Sequence, residues 1–319
     1  MTRKLIIFGN GLGMALDPNH FSLDNALRKI WDNDKILDES QKNLICRCTE
    51  KEGSPLGEDE LDKLHLAVTS CETLNKIGSG KVHWLSDDGQ AFPVMTANYI
   101  HKVATHLHNY EGSLPDKFVD PLVKFIKDTK SHVATLNYDK LLYSSFIDND
   151  IFNGYDGYLI DGMRNQGFSA DALERRYDRD FGYYMHLHGS PLFINGGGTT
   201  KKLSIDDLSI DDERIGRHIV LTHVKHKASV IGASPVLSIY WDYLGFSLSE
   251  AEEVVLFGYT GLDIHLNKMI KPYLKAKKVR VVEWSGAGSK TDREKYWEDE
   301  LGKKPELVQL ENITEFVQW

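Results

Sequence analysis

Leu5-Ile6-Ile7-Phe8-Gly9-Asn10-Gly11-Leu12-Gly13 runs four strand-forming apolar residues straight into a glycine turn. A strand that empties into such a turn is how α/β proteins begin a nucleotide site, with a buried parallel strand leading to a helix. The turn departs from the G-x-G-x-x-G pattern, because Gly13 comes one position early and Met14 stands where the third glycine belongs. Two readings follow. Either the glycines serve a tight turn that needs positive φ, or the backbone N–H groups of Gly9, Asn10 and Gly11 and the helix start beyond them receive a pyrophosphate.

The same residues imitate a secretory leader, with Arg3 and Lys4 ahead of an apolar run that reaches Leu16 and Ala15 as a cleavage-like residue. Asn10 and the three glycines interrupt that run, so it makes a poor leader, and a cytoplasmic protein is expected. No other segment approaches the ~20 apolar residues of a membrane helix. Cys46, Cys48 and Cys71 are an odd number, which suits a reducing compartment, and Cys46-Arg47-Cys48 is too closely spaced for a zinc knuckle. The 319 residues carry 38 Lys+Arg against 47 Asp+Glu, a net charge of −9, with 41% hydrophobic residues. This balance excludes a disordered or collagenous chain and argues against a dedicated nucleic-acid binder.

Outward from the first strand, residues 23–108 read as mostly helical. Leu23, Leu27, Ile30 and Trp31 fall at helical spacing, as do Leu61, Leu64 and Val68, with breaks at 54–57 and 78–80. A single domain over 1–319 is expected, with 20–115 as a mostly helical insertion or cap. A helix N-capped by Asp120 with Pro121 in first position should follow, then a strand at 132–136 ending on Asn137-Tyr138-Asp139. A strand at 183–187 ends on His188-Gly189-Ser190, and the glycine-rich 194–200 reads as a loop. Val236, Ile239, Tyr240, Tyr243 and Leu244 mark a helix. The strand 254–257 closes on Gly258, Asp263 caps a helix that Pro272 should kink and whose last turn holds Lys277 and Lys278, and a strand follows at 279–282. Continuous apolar strands alternating with helices imply a parallel sheet covered on both faces.

Ligands of such sheets bind beyond the carboxyl ends of the strands. Four candidate elements lie there: the glycine turn, Asn137 to Asp139, His188 to Ser190, and Gly258 to Asp263. Asn137 and Asp139 suit either an Asx turn or polar groups that grip a ribose and a water. His188 is either a hydrogen-bonded core histidine or a working group given room by Gly189. His186 and His188, two apart, would also permit a metal pair, although no spaced set of further ligands accompanies them. His101 to His108 and His223 to His226 read as surface histidines. Glu283, at the last strand's end, is either an acceptor for an adenosine ribose or an exposed acid.

Taken in order, these pieces resemble the sirtuin family. The correspondence lies in Phe8-Gly9-Asn10-Gly11, Thr135-Leu136-Asn137-Tyr138-Asp139, Leu187-His188-Gly189-Ser190 and Phe257-Gly258-Tyr259-Thr260-Gly261-Leu262-Asp263-Ile264-His265-Leu266, which together span nearly the whole chain. The last turn is similar to that of the sirtuin-like branch of bacterial anti-phage systems. The two Cys-x-x-Cys pairs that build the zinc module of sirtuin deacylases have no counterpart, because no cysteine follows Cys71. The family's Pro-Asp-Phe-Arg segment is also absent, with His20-Phe21 in that region.

The resemblance implies a Rossmann-like parallel sheet of the sirtuin type, with a large helical insertion and no zinc module. It implies an NAD hydrolase that releases nicotinamide and ADP-ribose, depleting NAD in anti-phage defence by abortive infection. NAD is then substrate, no metal is expected, and the phosphates of NAD are met by backbone N–H groups rather than by a basic surface. Asn137 would orient the ribose and water, His188 would bind a ribose hydroxyl or act as general base, and Asp139 would support the nicotinamide side. Gly9, Asn10 and Gly11 would cradle the pyrophosphate. Gly258 and Thr260 would form the turn facing phosphate or ribose, and Glu283 would hold the adenosine ribose. Asp263 is expected to cap its helix rather than touch NAD. A homo-oligomer is expected, with a companion ATPase or other defence protein as a further partner, and neither nucleic acid nor membrane. The alternatives are an NAD or ADP-ribose sensor without turnover, a protein deacylase, and a His186/His188 metallohydrolase.

Overall fold

The computed structural model of the protein describes residues 2–196, 198–212, 214, 216–221 and 224–319. Its strands are β1 (Lys4–Phe8), β2 (His132–Thr135), β3 (Leu159–Ile160), β4 (Met163–Arg164), β5 (Gly167–Phe168), β6 (Gly182–His186), β7 (Phe193–Gly196), β8 (Thr199–Lys202), β9 (Glu253–Phe257), β10 (Lys278–Trp284) and β11 (Glu306–Leu310). Seven of them form one parallel sheet in the order β11-β10-β9-β1-β2-β6-β3, a Rossmann-like α/β architecture. From β1 the chain builds outward through β2, then returns to place β9 on the other flank of β1. That reversal puts the sheet's switch point, where α/β ligands bind, beside the end of β1.

The alternation of strand side chains divides the apolar residues between two cores. Leu5 and Ile7 face one side, packing with Leu237, Tyr240 and Leu244 of the helix Pro235–Glu250. Ile6 and Phe8 face the other, against Phe118, Leu122 and Ile126 of the helix Asp116–Thr129. A third apolar cluster belongs to the helices between β1 and β2, with Leu27, Ile30, Leu64, Tyr99 and Val103 at its centre. These helices are Leu23–Trp31, Glu39–Thr49, Glu58–Ile77 and Asp87–His108. Among the described residues no helix is long and apolar enough to cross a membrane.

Several local expectations are corrected. The helix before β2 starts at Asp116, so Pro121 lies inside it and Asp120 does not cap it. Burial of Phe118 and Val119 extends the apolar stripe toward the N-terminus and offsets the hydrogen bond that Pro121 cannot donate. Most of the glycine-rich stretch is paired rather than loop, because β7 and β8 run antiparallel, with Gly198 at φ +88° ahead of β8. Pro272 does more than kink its helix. The α-helix Ile264–Ile270 ends before it and a 3-10 turn, Lys271–Ala276, takes over. Lys277 and Lys278 lie past that turn, and Lys277 Nζ bonds the carbonyl of Ala251 at 2.5 Å, just beyond the end of the helix Pro235–Glu250.

The first glycine turn is also explained differently. Gly9, Gly11 and Gly13 all lie outside the positive-φ region. Gly9 and Gly11 are required by close approach, because a Cβ on either would stand 2.7 or 2.6 Å from the Gly258 carbonyl oxygen. Gly258 has φ +59°, and a Cβ there would lie 2.9 Å from Leu12 N. The two turns therefore interlock backbone to backbone across β1 and β9. Gly258→Ala should cost about 2–3 kcal/mol through φ strain and this contact. A thermal melt unchanged from wild type would show that the turns do not interlock.

Candidate functional site

The ends of β1, β2 and β6 open on one cleft of about 210 Å³, walled by Asn10, Asn137, Tyr138, Asp139 and His188. The helical segment between β1 and β2 contributes Leu23, Leu61 and Leu107 to it, and Lys227 enters from the helix Val224–Ala233. Each polar group is held in its own way. Asn137 is buried, its N–H bonds Thr135 Oγ1 at 3.0 Å, and its Nδ2 donates to the Gly9 carbonyl at 3.1 Å. Among the described residues its Oδ1 has no partner. Asp139 accepts the Leu141 N–H at 3.0 Å. The residue keeps some surface while its carboxyl is enclosed by protein, and that enclosure raises its pKa to about 6 against the hydrogen bonds that lower it.

His188 is bonded through Nε2 to Asp263 Oδ2 at 2.8 Å, and Lys227 Nζ meets the same oxygen at 2.9 Å. Asp263 Oδ1 accepts the N–H groups of His265 and Leu266 at 3.0 and 3.1 Å. Asp263 thus caps its helix as expected and, beyond that, anchors the histidine. Burial opposes its charge, but His188 and Lys227 overcome burial and hold Asp263 well below the usual carboxylate range. Burial lowers the His188 pKa despite the carboxylate. A neutral ring beside an anionic acceptor carries its proton on Nε2, which leaves Nδ1 as its basic atom. Gly189, at φ +85°, has room for no side chain, because a Cβ would fall 1.5 Å from the His218 carbonyl oxygen.

Two loops of the site hang from one helix. In Asp87–His108, His108 Nδ1 is 3.1 Å from the Tyr138 carbonyl and His101 Nε2 is 3.0 Å from the Pro191 carbonyl. Both histidines are buried, so the surface reading of them is overturned. A ring N–H donated to a buried carbonyl offsets part of their desolvation, while His101 Nδ1 and His108 Nε2 are buried without a partner among the described residues. His223 lies outside the described residues, as does the side chain of His226.

The other candidates are placed as follows. The N–H groups of Gly9 and Gly11 are already bonded, to the carbonyls of Phe257 and Gly258 at 2.8 Å each. Asn10 is exposed, and its Nδ2 holds the Phe21 carbonyl at 2.9 Å. Gly258 is buried at the switch point, while Thr260 beyond it is exposed. Glu283 is 4% exposed, which removes the exposed-acid reading. Its carboxylate takes Arg293 Nε at 3.1 Å and Nη2 at 2.8 Å, Trp297 Nε1 at 2.9 Å and Gln309 Nε2 at 3.1 Å. Those donors fill the roughly four acceptor positions of a carboxylate. His186 does not join His188, since it is buried among the rings of Tyr143, Tyr184, Phe193 and Tyr240. Among the described residues no three His, Cys, Asp or Glu side chains group as a metal site. The three cysteines are free thiols, two of them in the helix Glu39–Thr49.

Sequence reasoning missed Lys227. It precedes Asp263 by 36 residues and sits in a helix with no marked motif, so no local spacing announces it. No family model matches the chain, and no curated protein matches it.

Proposed function

We propose that the chain is an NAD hydrolase of the sirtuin type without a zinc module, cleaving the nicotinamide–ribose bond to nicotinamide and ADP-ribose. The observation that carries this reading is the convergence of Asn137, Asp139 and His188, from two strand ends, on one cleft beside the switch point. Nicotinamide leaves as a neutral molecule, because the pyridinium takes the bonding pair, and the ribose is left as an oxocarbenium ion. Asn137 Oδ1, buried without a partner among the described residues, suits a donor from a ribose hydroxyl or the attacking water. Asp139, ionised above about pH 6, supplies negative charge opposite a cationic pyridinium. His188 accepts a proton on Nδ1 as water adds to the sugar carbon, and Asp263 stabilises the imidazolium that results. The ADP half would pass over the exposed Thr260 turn, with Asn10 on the near side.

Glu283 has no part in this proposal. NAD depletion in anti-phage defence, assembly into a homo-oligomer and a companion defence protein belong to the same reading.

The test is chromatographic detection of nicotinamide and ADP-ribose from NAD, with the full chain. Asn137→Ala should lower release by about 10²-fold or more, with only a few degrees taken from the melting temperature by loss of its bond to the Gly9 carbonyl. Full activity in Asn137→Ala would sink the site assignment. Saturable NAD binding with no products would make the protein a sensor instead.

A further inference from the structure

A second cleft, of about 670 Å³, opens at the β3 edge of the sheet and shares no lining residue with the Asn137–His188 cleft. Its volume falls in the range of small-molecule sites, roughly 300–1,000 Å³. Three cationic side chains line it, Arg164, Lys201 and Lys202, against one carboxylate, Asp161. This is a surplus of positive charge in a protein of net charge −9.

Asp161 is already engaged. Its Oδ1 accepts the Met163 N–H at 2.9 Å and its Oδ2 pairs with Lys202. Lys202 also donates to the Tyr143 hydroxyl, so among the described residues two of its three N–H donors are used and one remains. Arg164 and Lys201 are exposed, and among the described residues neither has an ion-pair or hydrogen-bond partner. Both therefore reach an incoming anion without breaking an existing bond.

The remaining wall mixes three rings, Tyr143, Phe152 and Tyr155, with aliphatic side chains such as Leu159, Ile160 and Met163. Tyr143 and Phe152 lie 4.8 Å apart between ring centroids, tilted by 46°, and Tyr155 is fixed by its hydroxyl, which accepts the Arg176 N–H at 2.7 Å. Fixed rings beside unpaired cations suit a flat ligand that carries a strong anion. A fixed Lys202–Asp161 pair, costly to bury, gives the cleft a defined polar floor.

We propose that this edge cleft binds a mononucleotide-sized ligand, a planar base joined to a phosphate, independently of the Asn137–His188 site. The phosphate meets Arg164, Lys201 and the spare donor of Lys202, and the base lies against the three rings. Calorimetric titration of the full chain with AMP tests it. AMP should bind, with adenosine and inorganic phosphate each at least ~10-fold weaker, because the ring and the anion act together. Arg164→Ala/Lys201→Ala, at two exposed positions, should weaken AMP by ~10-fold or more, while Asn137→Ala and His188→Ala leave it unchanged. No AMP binding, binding indifferent to the double substitution, or binding lost in Asn137→Ala would each overturn the proposal. The first reading, NAD hydrolysis, stands or falls separately on nicotinamide release.

Discussion

Asp263→Ala is expected to remove about 4–6 kcal/mol of stability, a large part of the margin of a typical domain. The carboxylate gathers four donors: His188, Lys227, and the N–H groups of His265 and Leu266. Alanine leaves the Lys227 ammonium, 8% exposed, without its counter-charge, and breaking a buried pair in this way costs about 3–5 kcal/mol. Loss of the helix cap adds about 1 kcal/mol. The same substitution frees the His188 ring, so nicotinamide release should collapse in whatever protein stays folded. Denaturant midpoints measure the first effect. Lys227→Met added to Asp263→Ala should restore part of the lost stability, because the orphan charge goes with it. A double variant no more stable than the single one would show that the pair is not what holds this region.

The second large effect is acid unfolding well above the pH at which carboxylates usually drive it. Burial lowers the pKa of His101, His108 and His132 from 6.5 to about 4. The unfolded chain takes up these protons near pH 6.5 and the folded chain only near pH 4, so their contribution is whole above pH 6.5 and is lost as pH falls toward 4. Each removes about 1.4 kcal/mol per pH unit across that window. Asp139 acts in the opposite sense. Its carboxyl is raised to about 6, so the folded state holds its proton first and recovers stability between pH 6 and 4. These four groups together lose about 3 kcal/mol per pH unit between pH 6 and 4, and His106 and His186, whose pKa values burial also lowers, act in the same sense. Below that, Glu250 and Asp263, both held low by their partners, add to the loss as they protonate. A midpoint between about pH 4 and 5.5 is expected by circular dichroism. A flat melting temperature from pH 7 to 4.5 would contradict the burial of these histidines.

The parallel sheet was legible where apolar runs end in residues of distinct chemistry. Residues 5–8 run into Gly9, 132–136 into Asn137, 183–187 into His188, and 254–257 into Gly258, and the structure has strands at each place. β11 was not legible because it is an edge strand, Glu306-Leu307-Val308-Gln309-Leu310, in which only Leu307 is buried. β3 is two residues long, too short for periodicity to register. In the cleft, the residues that abut strand ends were visible from sequence. The His188–Asp263–Lys227 cluster was visible only in part, because it joins three segments through space and Asp263 already had a sufficient local reason as a helix cap. The buried histidines of Asp87–His108 were misread because that helix is enclosed on several sides, which a polar residue in a helical pattern does not disclose.

The helix Asp87–His108 also acts as a ruler. His101 and His108 are seven residues apart, two turns, so their attachment points are separated along the axis by about 10 Å. One attachment fixes the loop that carries Asn137 and Asp139, and the other fixes the loop that carries His188. The gap between the two loops is therefore measured against a rigid rod rather than left to the sheet. A one-residue insertion between His101 and His108 would turn one ring about 100° off its carbonyl, so this spacing tolerates substitution along the helix but not a change in its count.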